Sequence, residues 1–244
     1  MRTLSLASVL SETISIWRRD LRPLTILAAA IEIPIVVAEV ALHVTPSLED
    51  FVEGSAVISG GVLIVVVYGS LSHHFLAGVL ERVVSADRQG HRRPSLGEVV
   101  RGLPWARLIA ADLLLTALIL AGLAAFVVPG LVVMTWFAVV LPLVNLERRP
   151  VPATFARSYH LVRGHSWRVA LVAVTAFVIP EVVIAVVATV THTGNVALDA
   201  LVHAIPAVIL LPLAALPIVI MTFELVALDA GAGSGRAKVG ASGP

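Results

Sequence analysis

Five carboxylates interrupt long apolar runs in this sequence: Glu32, Glu39, Asp112, Glu181 and Glu224. A charge at mid-bilayer costs about 2.5 to 3.5 kcal/mol on insertion scales, so each needs a partner, a proton or water. Glu32 has Pro34 two residues on, and Glu181 directly follows Pro180. Proline inside a helix frees the carbonyl four residues back, so each of these carboxylates lies beside a polar kink. Glu32 and Glu39 are one heptad apart and share a helix face. Glu32, Glu39 and Glu181 therefore form the candidate intramembrane polar site. Its chemistry is either proton exchange in a hydrated cavity or hydrogen bonding that holds neighbouring helices in register, and the second is the reading preferred. Asp112 and Glu224 fall nearer basic segments, within reach of arginines or water.

Other chemistry is sparse. His73 and His74 are adjacent and diverge by about 100° around a helix, which places them poorly for sharing a metal. His43, His192 and His203 are scattered at the far boundary. The sequence has no HExxH pair, no glycine-rich phosphate loop and no nucleophile elbow. Cysteine is absent, which removes disulfides, thiolate metal sites and cysteine nucleophiles. The expectation is no catalytic residue, no metal, no cofactor and no enzymatic activity. Ser70, Ser72 and Thr116 read as helix contacts, and Gly60, Gly61, Gly69 and Gly78 as close packing of one span.

The elements that carry these groups are set by hydropathy. Of 244 residues, 58% are hydrophobic and 14% charged, against about 45 to 50% and 25% in soluble domains. A bilayer-crossing helix needs about 20 apolar residues, and six runs qualify: Pro23 to His43, Ala56 to Leu80, Leu108 to Val128, Leu131 to Leu146, Val169 to Val190, and Leu201 to Leu228. Pro129-Gly130 separates the third from the fourth and predicts a tight reversal there. All seventeen basic residues fall in segments that alternate with the spans, whereas Glu49, Asp50, Glu53 and Asp199 occupy the opposite loops. Retention of Arg and Lys on the inner side then predicts a multi-pass cell-membrane protein with both termini cytoplasmic. The expected fold is all-α: a polytopic membrane protein of six transmembrane helices in three hairpins, with cytoplasmic interfacial amphipathic helices. Its parts are an N-terminal interfacial helix over 1–22, a transmembrane domain over 23–228 and a flexible cytoplasmic tail over 229–244.

A threefold repeat organises the basic segments. Arg101-Gly102-Leu103-Pro104-Trp105 and Arg163-Gly164-His165-Ser166-Trp167 share Arg-Gly-x-x-Trp, followed by Arg107 and Arg168, and Trp17-Arg18-Arg19 takes the same place first. An amphipathic stretch precedes each Trp, with Leu6, Leu10, Thr13, Ile14 and Trp17 in the first. Leu96, Val99, Val100 and Leu103 mark the second, and Val151, Phe155, Tyr159 and Val162 the third. Such helices lie in the interface with their apolar face on the acyl chains. Trp17, Arg101, Trp105, Arg107, Arg157, Arg163, Trp167 and Arg168 are the candidate interfacial anchors. Two span exits also echo each other, Leu80-Glu81-Arg82 and Leu146-Glu147-Arg148. The clustered arginines make membrane lipids the expected partner, with anionic headgroups at the inner face and a protein partner as a second class. Low overall basicity and few aromatics argue against nucleic acid.

Pro129-Gly130, the following apolar span, Glu147, Arg157-Ser158, Leu161-Val162-Arg163-Gly164 and Trp167-Arg168 together resemble a bacterial six-span family. That family is related to the membrane domain of some glycerophosphoryl diester phosphodiesterases. The likeness covers about forty residues. It implies a membrane module without the soluble catalytic barrel of the fused enzymes, and no catalytic residue carries over. The function expected is an integral membrane scaffold, lipid-associated module or accessory subunit. The alternative is a small transporter or channel using Glu32 and Glu181.

Overall fold

The computed structural model describes residues 6–42, 76–90, 92 and 95–240, and the side chains of Glu39 and Glu181 lie outside that description. Every described element is helical. We number them α1 (Leu6–Arg19), α2 (Leu21–Leu42), α3 (76–88), α4 (Leu96–Gly102) and α5 (Trp105–Ala125). There follow α6 (Val127–Phe137), α7 (Val140–Glu147), α8 (Val151–Val162), α9 (Ser166–Thr191) and α10 (Val196–Gly240).

Among the described residues, four stretches are long and apolar enough to cross a membrane: Leu21–Ala38, Trp105–Gly122, Val128–Glu147 and Ala197–Gly231. Helix α9, over the expected fifth span, is continuous for 26 residues with Pro180 inside it. Only positions 76–80 of the expected second span are described, where they open α3. His43, Glu49, Asp50, Glu53, Gly60, Gly61, Gly69, Ser70, Ser72, His73 and His74 lie outside the described residues.

The helices are inside out relative to a soluble bundle. Ile26, Ile33 and Val37 project from α2 at 67%, 61% and 61% exposure, and Ile179, Val182, Val186 and Val190 form an exposed row on α9. Apolar faces of this kind are stable against hydrocarbon and unfavourable against water. Two apolar cores lie among the described residues. Helix α10 serves both: Leu211, Leu216, Val219 and Ile220 enter the core shared with α1 to α5, while Ile218, Met221 and Leu225 enter that shared with α8 and α9.

The third-to-fourth connection differs from the sequence expectation. The chain turns at Phe126, which is extended (φ −168°, ψ 159°) and donates its N–H to Gly122 O at 3.0 Å. Pro129 and Gly130 instead lie in the first turns of α6. A first-turn N–H has no helical acceptor, so proline there sacrifices nothing. Gly130 lies against α5: a Cβ on Gly122 would sit 2.9 Å from the Gly130 Cα. Paired glycines allow the two backbones to meet at that height. The fourth span is itself broken at Ala138 and Val139, because Pro142 lacks the N–H that would bond Ala138 O. It ends at Arg148, which takes the left-handed conformation (φ 51°) two residues before Pro150.

Helix α10 runs to Gly240, past the Leu228 boundary and through most of the tail expected to be flexible. No proline lies between Pro217 and Pro244 to stop it, and alanine recurs among its glycines.

Candidate functional site

The functional features of this molecule concentrate where its arginines gather. Arg88, at the end of α3, reaches Glu12 of α1 at 2.8 Å and Glu224 of α10 at 3.6 Å. Its guanidinium also stacks 5.1 Å above the Phe223 ring, a cation–π contact. Arg19 of α1 joins Asp20 at 3.2 Å and Asp87 of α3 at 3.0 Å. Arg157 of α8 joins Glu147 of α7 at 3.1 Å and Asp229 of α10 at 2.7 Å. Burial works against the Arg157 charge, but hydrogen bonds to Asp229 and Glu147 outweigh it and raise its pKa. Glu147 also pairs with Arg149 at 2.6 Å. Three arginines thus tie α1, α3, α7, α8 and α10 into one end.

A second layer uses backbone carbonyls. Arg107 of α5 donates to Arg148 O at 2.6 Å, and Arg82 of α3 donates to Gly102 O of α4. A side chain on Gly102 would collide with the Arg82 guanidinium. Helix α4 carries its own capping box: Ser95 N–H donates to Glu98 Oε2 at 2.6 Å, and Glu98 N–H to Ser95 Oγ at 3.4 Å. Beneath this layer Glu81 is 5% exposed. Burial pushes its carboxyl up to about 7, a rise that nearby Arg82 and Arg148 limit. Asn145 of α7 packs on α3, its amide nitrogen 2.6 Å from where a Cβ on Gly78 would stand. Its amide atoms are buried and make no hydrogen bond among the described residues.

The far ends of α9 and α10 are closed differently. Asp199 accepts from Thr193 N–H at 2.9 Å and Thr193 Oγ1 at 2.8 Å, and pairs with His192 Nδ1 at 3.0 Å.

The structure separates the expected anchors into different roles. Arg157 is 22% exposed and acts as an ion-pair hub rather than a headgroup anchor. Arg107 is taken up by Arg148 O, and Arg101 folds back on Gly97 O of its own helix at 3.1 Å. Trp17 is half-buried against the first core, Trp105 is 40% exposed and Trp167 81% exposed. Arg163 is exposed and Arg168 half-buried.

Helix α8 turns part of its expected stripe inward, and α1 keeps part of its own exposed. In α8, Phe155 and Val162 are buried in protein, Phe155 meets the Phe137 ring at 5.0 Å, and Ser158 Oγ donates to Trp136 O at 2.8 Å. Phe155 and Val162 of the α8 stripe therefore face the bundle, while Tyr159 is 37% exposed. Helix α1 buries Val9, Thr13 and Ile16, and leaves Leu10 and Ile14 half exposed.

Of the intramembrane carboxylates, Glu32 is buried at 6% exposure and is engaged by a partner. Asp112 is buried at 3% and likewise engaged. Glu224 pairs with Arg88 as its position near a basic segment suggested. Among the described residues, no three His, Asp or Glu side chains are grouped to hold a metal. The sequence reading missed the hubs Arg19 and Arg88 with their acids Glu12 and Asp87. The available signal was acidic residues standing inside arginine-rich segments.

No family model, no curated protein and no solved structure matches this chain.

Proposed function

We propose that this protein is a six-span integral membrane scaffold or accessory module, its helices paired as three hairpins. Its arginine-rich end forms a rigid cytoplasmic platform, and both termini lie on that side. One observation carries the reading: Arg19, Arg88 and Arg157 each pin helices from distant parts of the chain. Carriers alternate access by rocking one bundle against another. Ionic pins that join α10 to α1, α3, α7 and α8 oppose any such separation at this end. An isolated exposed pair contributes about 0.2 to 1 kcal/mol, whereas shared hubs act as a network. The likeness of residues 129–168 to a membrane module without its own catalytic barrel agrees with this role.

The test is a distance distribution across the platform. Because the chain lacks cysteine, nitroxides can be placed at the exposed positions Ala7 of α1 and Ala156 of α8 by Ala→Cys substitution. In proteoliposomes a scaffold gives one narrow population that is unaltered by Glu32→Gln. Two populations exchanging with pH or with Glu32→Gln would instead establish the carrier reading, in which the buried Glu32 takes and releases a proton.

A further inference from the structure

We propose that the elbow between α8 and α9 is a seat for an anionic phospholipid headgroup, and that its sequence twin between α4 and α5 is not. The inference rests on the membrane reading above and names the lipid partner of that platform.

The two elbows share Arg-Gly-x-x-Trp, yet they are occupied differently. At the first, Arg82 fills the space over Gly102, Arg101 bonds Gly97 O, and Arg107 bonds Arg148 O. Its cationic groups are consumed by carbonyls within the molecule. At the second, nothing lies within 4 Å of a Cβ added to Gly164. Neither the Arg163 nor the Arg168 guanidinium has a hydrogen-bond or ion-pair partner among the described residues. Trp167, between them, is 81% exposed, and Tyr159 one turn before Arg163 is 37% exposed with its ring edge-on to Trp136 at 5.2 Å. His160 adds a third polar group to this outward face.

The chemistry of the patch selects its occupant. Two guanidiniums offer forked donors that match phosphate oxygens. An indole this exposed is unfavourable in water but suited to the headgroup level, where amphipathic rings collect. Phosphate donors and an apolar ring side by side fit a ligand with an anionic head and an acyl body. Attraction of basic groups to an anionic leaflet is worth about 1 kcal/mol each near the surface, so two unpartnered arginines give a bias of roughly tenfold or more over a zwitterionic lipid.

Tryptophan quenching by brominated lipids tests this on the full chain. Proteoliposomes of phosphatidylcholine carry the same mole fraction of dibrominated phosphatidylglycerol or of dibrominated phosphatidylcholine. The Trp167 signal is isolated as the difference between the unmodified chain and Trp167→Phe. The expected result is at least twofold stronger quenching by the glycerol lipid, lost in Arg163→Gln/Arg168→Gln and kept in Arg101→Gln. Equal quenching by both lipids overturns the proposal, as does a bias that survives Arg163→Gln/Arg168→Gln. Loss of the bias when soluble glycerol phosphate is added overturns the lipid assignment in favour of a free phosphate ligand. If neither brominated lipid quenches any tryptophan, the membrane reading itself fails. Should the double variant misfold, titrating the unmodified protein with salt is the substitute: the bias must fall as ionic strength rises.

Discussion

Glu81 shows how little the neighbours of a side chain decide its environment. In sequence it stands beside Arg82 at a span exit, an adjacency that leaves open whether the two pair. In the structure Arg82 turns away to Gly102 O, and the carboxyl is left buried with its pKa raised to about 7. An acid whose folded pKa exceeds its unfolded value of 4.5 binds its proton more tightly when folded. Stability is then highest below the unfolded pKa and declines as pH rises from about 4.5 to about 7, remaining at the lower level above that. Glu81→Gln removes the ionisable group while keeping shape and hydrogen-bonding capacity. The variant should melt at a higher temperature than the parent in detergent at pH 8 and within error of it at pH 4.5. A variant that melts no higher than the parent at pH 8 would contradict the burial assigned to Glu81. Neither that burial nor the isolation of the Asn145 amide is legible in sequence, because both depend on α3 meeting α7. By contrast, the burial of Glu32 is foreshadowed by its apolar surroundings.

At the scale of elements, the hydropathy runs that fall on described residues each overlie helix, and their joints are placed less well. Pro129-Gly130 carries a strong turn signal, but a proline also opens helices, and only the position of Phe126 decides between the two. Pro142 was the readable cause of the break at Ala138 and Val139, since its missing N–H falls on a fixed partner. The face of α8 was legible as amphipathic but not in its direction, because residues such as Phe155 and Val162 satisfy protein and lipid equally. The α5 and α6 contact yields a sharp prediction. Gly122→Ala places a methyl 2.9 Å from the Gly130 Cα and 3.0 Å from its N, both backbone atoms that cannot rotate away. Overpacking of this kind costs about 1 to 3 kcal/mol. Gly164→Ala, with open space at its Cβ, is the control and should leave thermal stability within about 0.5 kcal/mol. A Gly122→Ala variant as stable as the parent would show that α5 and α6 lie farther apart than the glycine pair implies.

For the whole molecule, charge placement and α10 point to the same orientation. The apolar stretch Ala197–Gly231 is 35 residues long, roughly 50 Å at 1.5 Å per residue, against about 30 Å of hydrocarbon. A crossing helix of that length projects beyond the hydrocarbon or tilts and bends within it. Glu224 and Asp229 are the last acids along it, and both are held by arginines, which fits emergence at the arginine-rich end in the proposed orientation. At the other end, Asp199 caps the turn from α9 with Thr193 and His192 and with no Arg or Lys nearby in the chain. Basic residues resist translocation, so the orientation proposed above predicts that the end bearing Gln89 and Ala153 lies inside and the one bearing Asn195 outside. Single cysteines at these exposed positions, in a chain that otherwise has none, read the orientation directly. A membrane-impermeant maleimide applied to intact cells should label Asn195→Cys, and should label Gln89→Cys and Ala153→Cys only after permeabilisation. The inverse pattern would reverse the platform and place Arg163 and Arg168 on the outer leaflet. Labelling of Gln89→Cys and Ala153→Cys from opposite sides would do more, because an even number of crossings separates those two positions in the six-span arrangement. One crossing too few between α3 and α8 would then break the ionic network that Arg157 and Arg88 share through α10.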